Sequence, residues 1–223
     1  MGSIGVHDEK NYHTVHRLEA FSDIVMGFCL AQLGVNLVMP KGAGDTFSVW
    51  ASATFFVSAF ILIALLWWVH HRTFSTYFVL NLGMIFMNFG MLGALILTLY
   101  FSECVVHVVS ANQNPSVFFA LSLYSFALVY GLLGGMLLFG IVARRHELSP
   151  ADLRWGVTQI ASIPIAVVLF IAAGTYGVMN AHRSFVAYSA IAVGVVIFLV
   201  RRVILPRWLR SKIPDAFGST TAI

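Results

Sequence analysis

Charge is the scarcest property of this chain. Asp, Glu, Lys and Arg make up 10% of its 223 residues, whereas a soluble domain carries about 25%. So few charges cannot cover a water-facing surface, and a soluble globular domain is excluded. Cysteine is almost missing too, with only Cys29 and Cys104 present. They fall at different depths of the first and third apolar segments, so two buried thiols are expected rather than a disulfide. The chain has no Cys-x-x-Cys spacing, no glycine-rich phosphate loop and no Ser, His and Asp set at one depth. Metal, nucleotide and hydrolytic chemistry therefore lack a carrier. The adjacent His70 and His71 have no carboxylate near them in sequence. No enzyme, cofactor or metal is expected.

What is abundant is apolar sequence. Hydrophobic residues reach 59% and the mean hydropathy is +0.87. A membrane span needs about 20 mostly apolar residues, and six segments meet that, at roughly 18–39, 49–69, 78–101, 117–142, 156–176 and 185–204. An all-α membrane protein with six transmembrane helices follows. The few cations set its orientation. With both termini cytoplasmic, the inner segments hold Lys10, Arg17, Arg72, Arg144, Arg145, Arg154, Arg201, Arg202, Arg207, Arg210 and Lys212. Only Lys41 and Arg183 are left outside, which is a strong positive-inside bias. Topology thus accounts for most of a pI near 9.3, and no nucleic-acid partner is implied. The run from Arg201 to Lys212 would also suit anionic headgroups.

Residues 1–17 read as a polar cytoplasmic N-terminus, 18–211 as one six-helix transmembrane domain and 212–223 as a disordered cytoplasmic tail. The first sixteen residues contain Asp8 and Glu9 and lack an apolar core, unlike a cleavable signal. Pro40, Gly42 and Gly44 end the first span. Ser149-Pro150-Ala151-Asp152 supplies a cap, a proline at the first helical position and an acid in the first turn of the fifth helix. Gly131 and Gly135 allow close helix contact in the fourth span, inside the subunit or between subunits. Pro164 stands in mid-span and can kink the fifth helix. No internal repeat is visible.

Polar residues at membrane depth are costly and mark function. Arg17, Glu19 and Asp23 stand at the mouth of the first span, and Gln32 and Asn36 lie inside it. At 100° per residue, Phe28, Ala31 or Gln32, Val35 and Met39 share one stripe. The stripe suits either hydrogen bonding within the bundle or a helix lining a narrow, mostly apolar pore. In the second span Trp67 and His71 are one turn apart and stack on one face. Asp23 and Arg17 are separated by about 9 Å of rise, so a third group could bridge them, and His71 is the natural candidate. Asn81 sits at the same depth. An interfacial tryptophan belt with solvated histidines is the alternative reading.

The run Arg17-Leu-Glu-Ala-Phe-Ser-Asp23 resembles the Arg-x-x-x-Phe-Ser-Asp signature of the transmembrane protein 175 family. Trp67 and His71 resemble that family's Trp-x-x-x-His in helix two, and Arg72-Thr-Phe74 and Leu80-Asn-Leu82 are similar as well. The motifs cover about the first 85 residues. The resemblance implies a potassium-permeable channel of the single-repeat prokaryotic type, a homotetramer in the plasma membrane with helix one around the central pore. Its partners would be potassium ions and membrane lipids. It further implies a network of Arg17, Asp23 and His71, with Ser22 and Trp67 beside them, that holds the pore helix. The family's constriction positions fall on Phe28, Ala31 and Val35, with Gln32 beside Ala31. Here Ile24 replaces a small residue, Phe28 an aliphatic one and Ala31 a hydroxyl, so the scaffold match is closer than the filter match.

Three functions remain distinguishable at this point. A potassium-permeable channel would select ions at tight apolar rings, since no Thr-Val-Gly-Tyr-Gly loop is present. A non-conducting or transporter-like member would keep the scaffold without the filter. A membrane haem or redox protein would need two imidazoles at one depth, and the eight histidines do not pair that way.

Overall fold

The computed structural model describes residues 4–35, 46–111 and 113–180. They form five helices in chain order: α1 (Ile4–Val35), α2 (Thr46–Tyr77), α3 (Leu82–Ser110), α4 (Ser116–Arg144) and α5 (Pro150–Asn180). The first five predicted segments overlap these helices, although residues 78–81 of the third lie in the turn before α3 rather than in the helix. Residues 36–39, the Pro40 turn, the sixth predicted segment and the tail lie outside the described residues.

Tyr12–Val35, Leu82–Val109, Ser116–Arg144 and Pro150–Met179 are each long and apolar enough to cross a membrane. In α2, residues 46–71 contain no Asp, Glu, Lys or Arg. In hydrocarbon a helix satisfies its own backbone polar groups, which is why the described apolar segments fold this way.

Several helices overrun the apolar stretches that predict them: α1 begins at Ile4, α2 continues to Tyr77, α3 continues to Ser110, and α5 begins at Pro150. Hydropathy marks where the bilayer lies, whereas a helix can continue into its polar flank until something breaks it, and the polar flanks of α1 and α2 contain no proline. The turn after α2 instead carries a start signal for the next helix. Asn81 is extended (φ −143°, ψ 162°) and its Oδ1 accepts from the Met84 amide at 2.8 Å, an N-cap for α3. At α5 the Ser149 Oγ accepts from the Asp152 amide at 3.1 Å and donates to the Asp152 carboxylate at 2.6 Å. The cap read from Ser149, Pro150 and Asp152 is therefore present.

Successive helices run antiparallel. Asp23 meets Trp67 and Gly34 faces Phe56 between α1 and α2. Met87 lies against Gly135 and Ser102 against Ser122 between α3 and α4. Phe126 packs edge-on to Phe170, and Ile163 covers Gly134, between α4 and α5. Gly134 and Gly135 thus serve contacts within the chain, while Gly131 has open space beside it. α5 continues through Pro164 to Asn180.

The main core joins α1 to α4 through Met26, Cys29, Leu66, Met91, Leu95 and Leu133. Cys29 and Cys104 are both free thiols, Cys29 buried as expected and Cys104 only half-buried. Around that core, α1 packs on α2 and α3, while α4 packs on α3, α5 and α2.

Candidate functional site

The site grows from two faces of α1. Ser22, Met26, Cys29 and Leu33 follow helical spacing and are buried against α2 and α3. The opposite stripe, Ile24, Phe28, Ala31 and Val35, stays open. Phe28 is 68% exposed and Val35 77%. A ring and a branched side chain on the uncovered side of a membrane helix can meet lipid, another subunit or a pore. Gln32 is half-buried between the two faces. Asn36 and Met39 lie outside the described residues.

Polar groups tie the buried face of α1 to its neighbours. The Trp67 indole Nε1–H donates to Asp23 Oδ1 at 2.8 Å. Hydrogen bonds to a charged acceptor contribute roughly 1.5–3 kcal/mol. One turn along, His71 Nδ1 stands 3.0 Å from Glu19 Oε1, and its ring stacks on Trp67 with centroids 5.6 Å apart. His16 approaches the other Glu19 oxygen at 3.4 Å. The spacing of four on each helix makes the two pairs parallel: Glu19 and Asp23 on α1, His71 and Trp67 on α2.

A second layer lies wholly inside. His70 Nε2–H donates to Asn88 Oδ1 at 2.9 Å, the Asn88 amide donates to Ser22 Oγ at 3.0 Å, and Ser22 donates to the Leu18 carbonyl at 2.9 Å. Donors run in one direction through α2, α3 and α1, and this order sets both the tautomer and the amide orientation. His70 Nδ1 is buried without a hydrogen bond among the described residues. Asn88, Ser22 and His70 are each 0% exposed.

The predicted site residues therefore divide. Asp23, Trp67 and His71 sit together where α1 meets α2, whereas Ser22 belongs to the inner layer with Asn88 and His70. Within the described chain Asp23 pairs with Trp67, and His71 with Glu19 rather than bridging Asp23 to Arg17. Arg17 is exposed and forms no ion pair among the described residues. Asn81 belongs to the α3 cap, not to this cluster. Sequence reasoning missed Asn88 and His70 as the inner layer. A lone amide in the run Met87-Asn88-Phe89 was the available signal, because a buried amide in a membrane helix requires partners.

Asn88→Ala is expected to destabilise the fold by about 2–3 kcal/mol, since it strands His70 and Ser22 inside the bundle and leaves a small void. Equilibrium unfolding in mixed detergent micelles measures it, and a change within error of zero contradicts the directional chain.

Residues 17–99 match the family described as endosomal/lysosomal potassium channel TMEM175. The fold is similar to that of a lysosomal potassium-selective channel TMEM175 homolog from Chamaesiphon minutus. That likeness has a TM-score of 0.68 at 15% identity, over 86% of this chain and all of the other. A variant of the potassium channel MtTMEM175, solved with a nanobody–MBP fusion, is similar at a TM-score of 0.54 and 17% identity, over 88% of this chain and 92% of that one. No curated protein matches the chain.

Proposed function

With residues 17–99 in the TMEM175 family and the channel fold shared with two solved homologues, we propose that this integral membrane protein is a potassium-permeable cation channel. It conducts passively and performs no bond chemistry. Six helices with both termini cytoplasmic, residues 18–211, form the transmembrane unit, flanked by a polar N-terminal segment and a C-terminal tail. Four copies assemble with α1 of each around the central axis, in a prokaryotic plasma membrane.

The observation that carries this reading is the split of α1 into a pinned face and a bare one. Asp23 and Glu19 hold the helix to α2, and Ser22 holds it to α3 through Asn88. This is the proposed latch, with Arg17 on the exposed side of the same turns. The bare stripe of Phe28, Ala31 and Val35, bordered by Gln32, then lines the constriction. A potassium ion passing apolar rings must shed part of its hydration, and that cost differs between ions. No ligating oxygen cage is needed.

The test is flux. In liposomes the purified chain is expected to pass potassium faster than sodium, and in detergent to sediment as a tetramer. Potassium flux no greater than that of protein-free vesicles removes the channel reading. The replacement of an aliphatic residue by Phe28 would then favour a non-conducting member of the scaffold.

A further inference from the structure

The cytoplasmic end of α2 is held from two sides, and only one of them belongs to the latch. On a helix with 100° between residues, Trp67 and His71 face α1 while Arg72 and Thr76 lie on another side. That other side is clasped by the start of α5 and the end of α4. Arg72 donates to Asp152 Oδ1 at 3.2 Å, and its guanidinium lies 4.3 Å from the centroid of the Trp155 ring. The Tyr77 hydroxyl donates to the Asp152 carbonyl at 2.7 Å, and its ring stacks on Trp155 at 5.8 Å. Arg144 donates to the Thr76 carbonyl at 3.0 Å, closing the clasp from α4. Asp152 is itself held by the Ser149 cap, so its carboxylate serves the helix start and the clasp at once.

We propose that Arg72 and Asp152 are positioning residues for the pore helix: they fix the rotation of the last turns of α2, and through Trp67 and His71 the seat of α1. The chain of contacts is short. Residues 71 and 72 are adjacent on one rigid helix, so a rotation that relaxes Arg72 from Asp152 also swings His71 relative to Glu19. α1 packs on α2 and α3, whereas α5 packs on α4. Among the described helices, α2 joins the turn between α4 and α5 to α1 by side-chain contacts on two faces, Arg72 on one and Trp67 and His71 on the other. The stacking of Arg72 on Trp155 supplies the geometry that a flexible ion pair alone lacks. The effect on flux rests on the channel reading above, while the effect on the spacing of α1 and α2 stands on this geometry alone.

The experiment reads both. In full-length protein carrying C29S and C104S, E19C and H71C are joined in liposomes by a two-carbon bis-methanethiosulfonate. Asp152→Asn is expected to slow cross-linking by about threefold, the factor a part-exposed ion pair supports. The charge exchange R72D with D152R is expected to restore most of the rate. In the chain with Glu19 and His71 intact, potassium flux should change with Asp152→Asn and recover with the exchange. The unfolding midpoint of each variant confirms that it is folded. If Asp152→Asn fails to fold, Arg72→Lys is read instead, since it keeps the charge and loses the planar stack. An unchanged cross-linking rate in a folded single variant overturns the proposal, and so does a charge exchange that restores nothing. Absent wild-type potassium flux strikes the channel reading instead, and the cross-linking result still decides the positioning role.

Discussion

Phe28→Ala is expected to raise cation flux through the reconstituted protein by roughly tenfold, a barrier change of about 1.4 kcal/mol, and to bring the potassium-to-sodium ratio toward unity. The direction follows from where Phe28 sits. Its ring is on the bare face of α1, with Met26 and Cys29 turned into the bundle on the other side. Truncating it widens the proposed constriction without opening a cavity in the subunit core. Stability should therefore hold while flux moves. Substituting a core residue of the same helix, Met26→Ala, acts in the opposite sense: it costs about 2–5 kcal/mol of stability. The paired measurements are ion flux in liposomes and unfolding in detergent. A Phe28→Ala protein that folds normally and conducts with unchanged rate and selectivity refutes the placement of this ring in the ion path.

The second large effect concerns a glycine. Gly140 on α4 lies so close to the end of α2 that a Cβ there would collide with the Tyr77 carbonyl oxygen and come within 2.7 Å of the Tyr77 Cβ. The obstacle is mostly backbone, which cannot swing aside as a side-chain tip can. Gly140→Val is expected to destabilise the protein by about 3 kcal/mol through overpacking. Gly131, on the same helix, meets nothing within 4 Å. Gly131→Ala should be neutral or slightly stabilising, because alanine favours the helix by up to about 1 kcal/mol. Thermal unfolding of both variants provides the check. Equal losses at the two positions contradict the close crossing of α2 and α4.

These two glycines show where the sequence was informative and where it was not. Gly131 and Gly135 stand out by their spacing of four, yet Gly131 faces open space and Gly140, which has no such pattern, carries the closest approach. Spacing reports which residues share a face of one helix. It says nothing of which neighbour that face will meet. The same limit applied to the polar residues. Trp67 and His71 were legible as a stacked pair because both lie on α2, one turn apart. Their partners on α1 were not legible, since a candidate carboxylate at Glu19 and another at Asp23 differ by a single turn. The buried Asn88 was visible as an oddity in an apolar span, but its assignment to Ser22 and His70 required the three helices to be placed together.

The sequence by itself determined the membrane class, because 10% charge cannot cover a soluble surface. It also determined the positions of the apolar segments under the five described helices and the start of α5, because bilayer thickness and helix capping act on local residues. Only the tertiary structure decided which polar groups pair, which face of α1 is left bare, and how far the helices extend beyond their apolar stretches. Those outcomes depend on the rotation and crossing of whole helices. Side chains far apart in the chain settle them by packing, and no local pattern encodes the result.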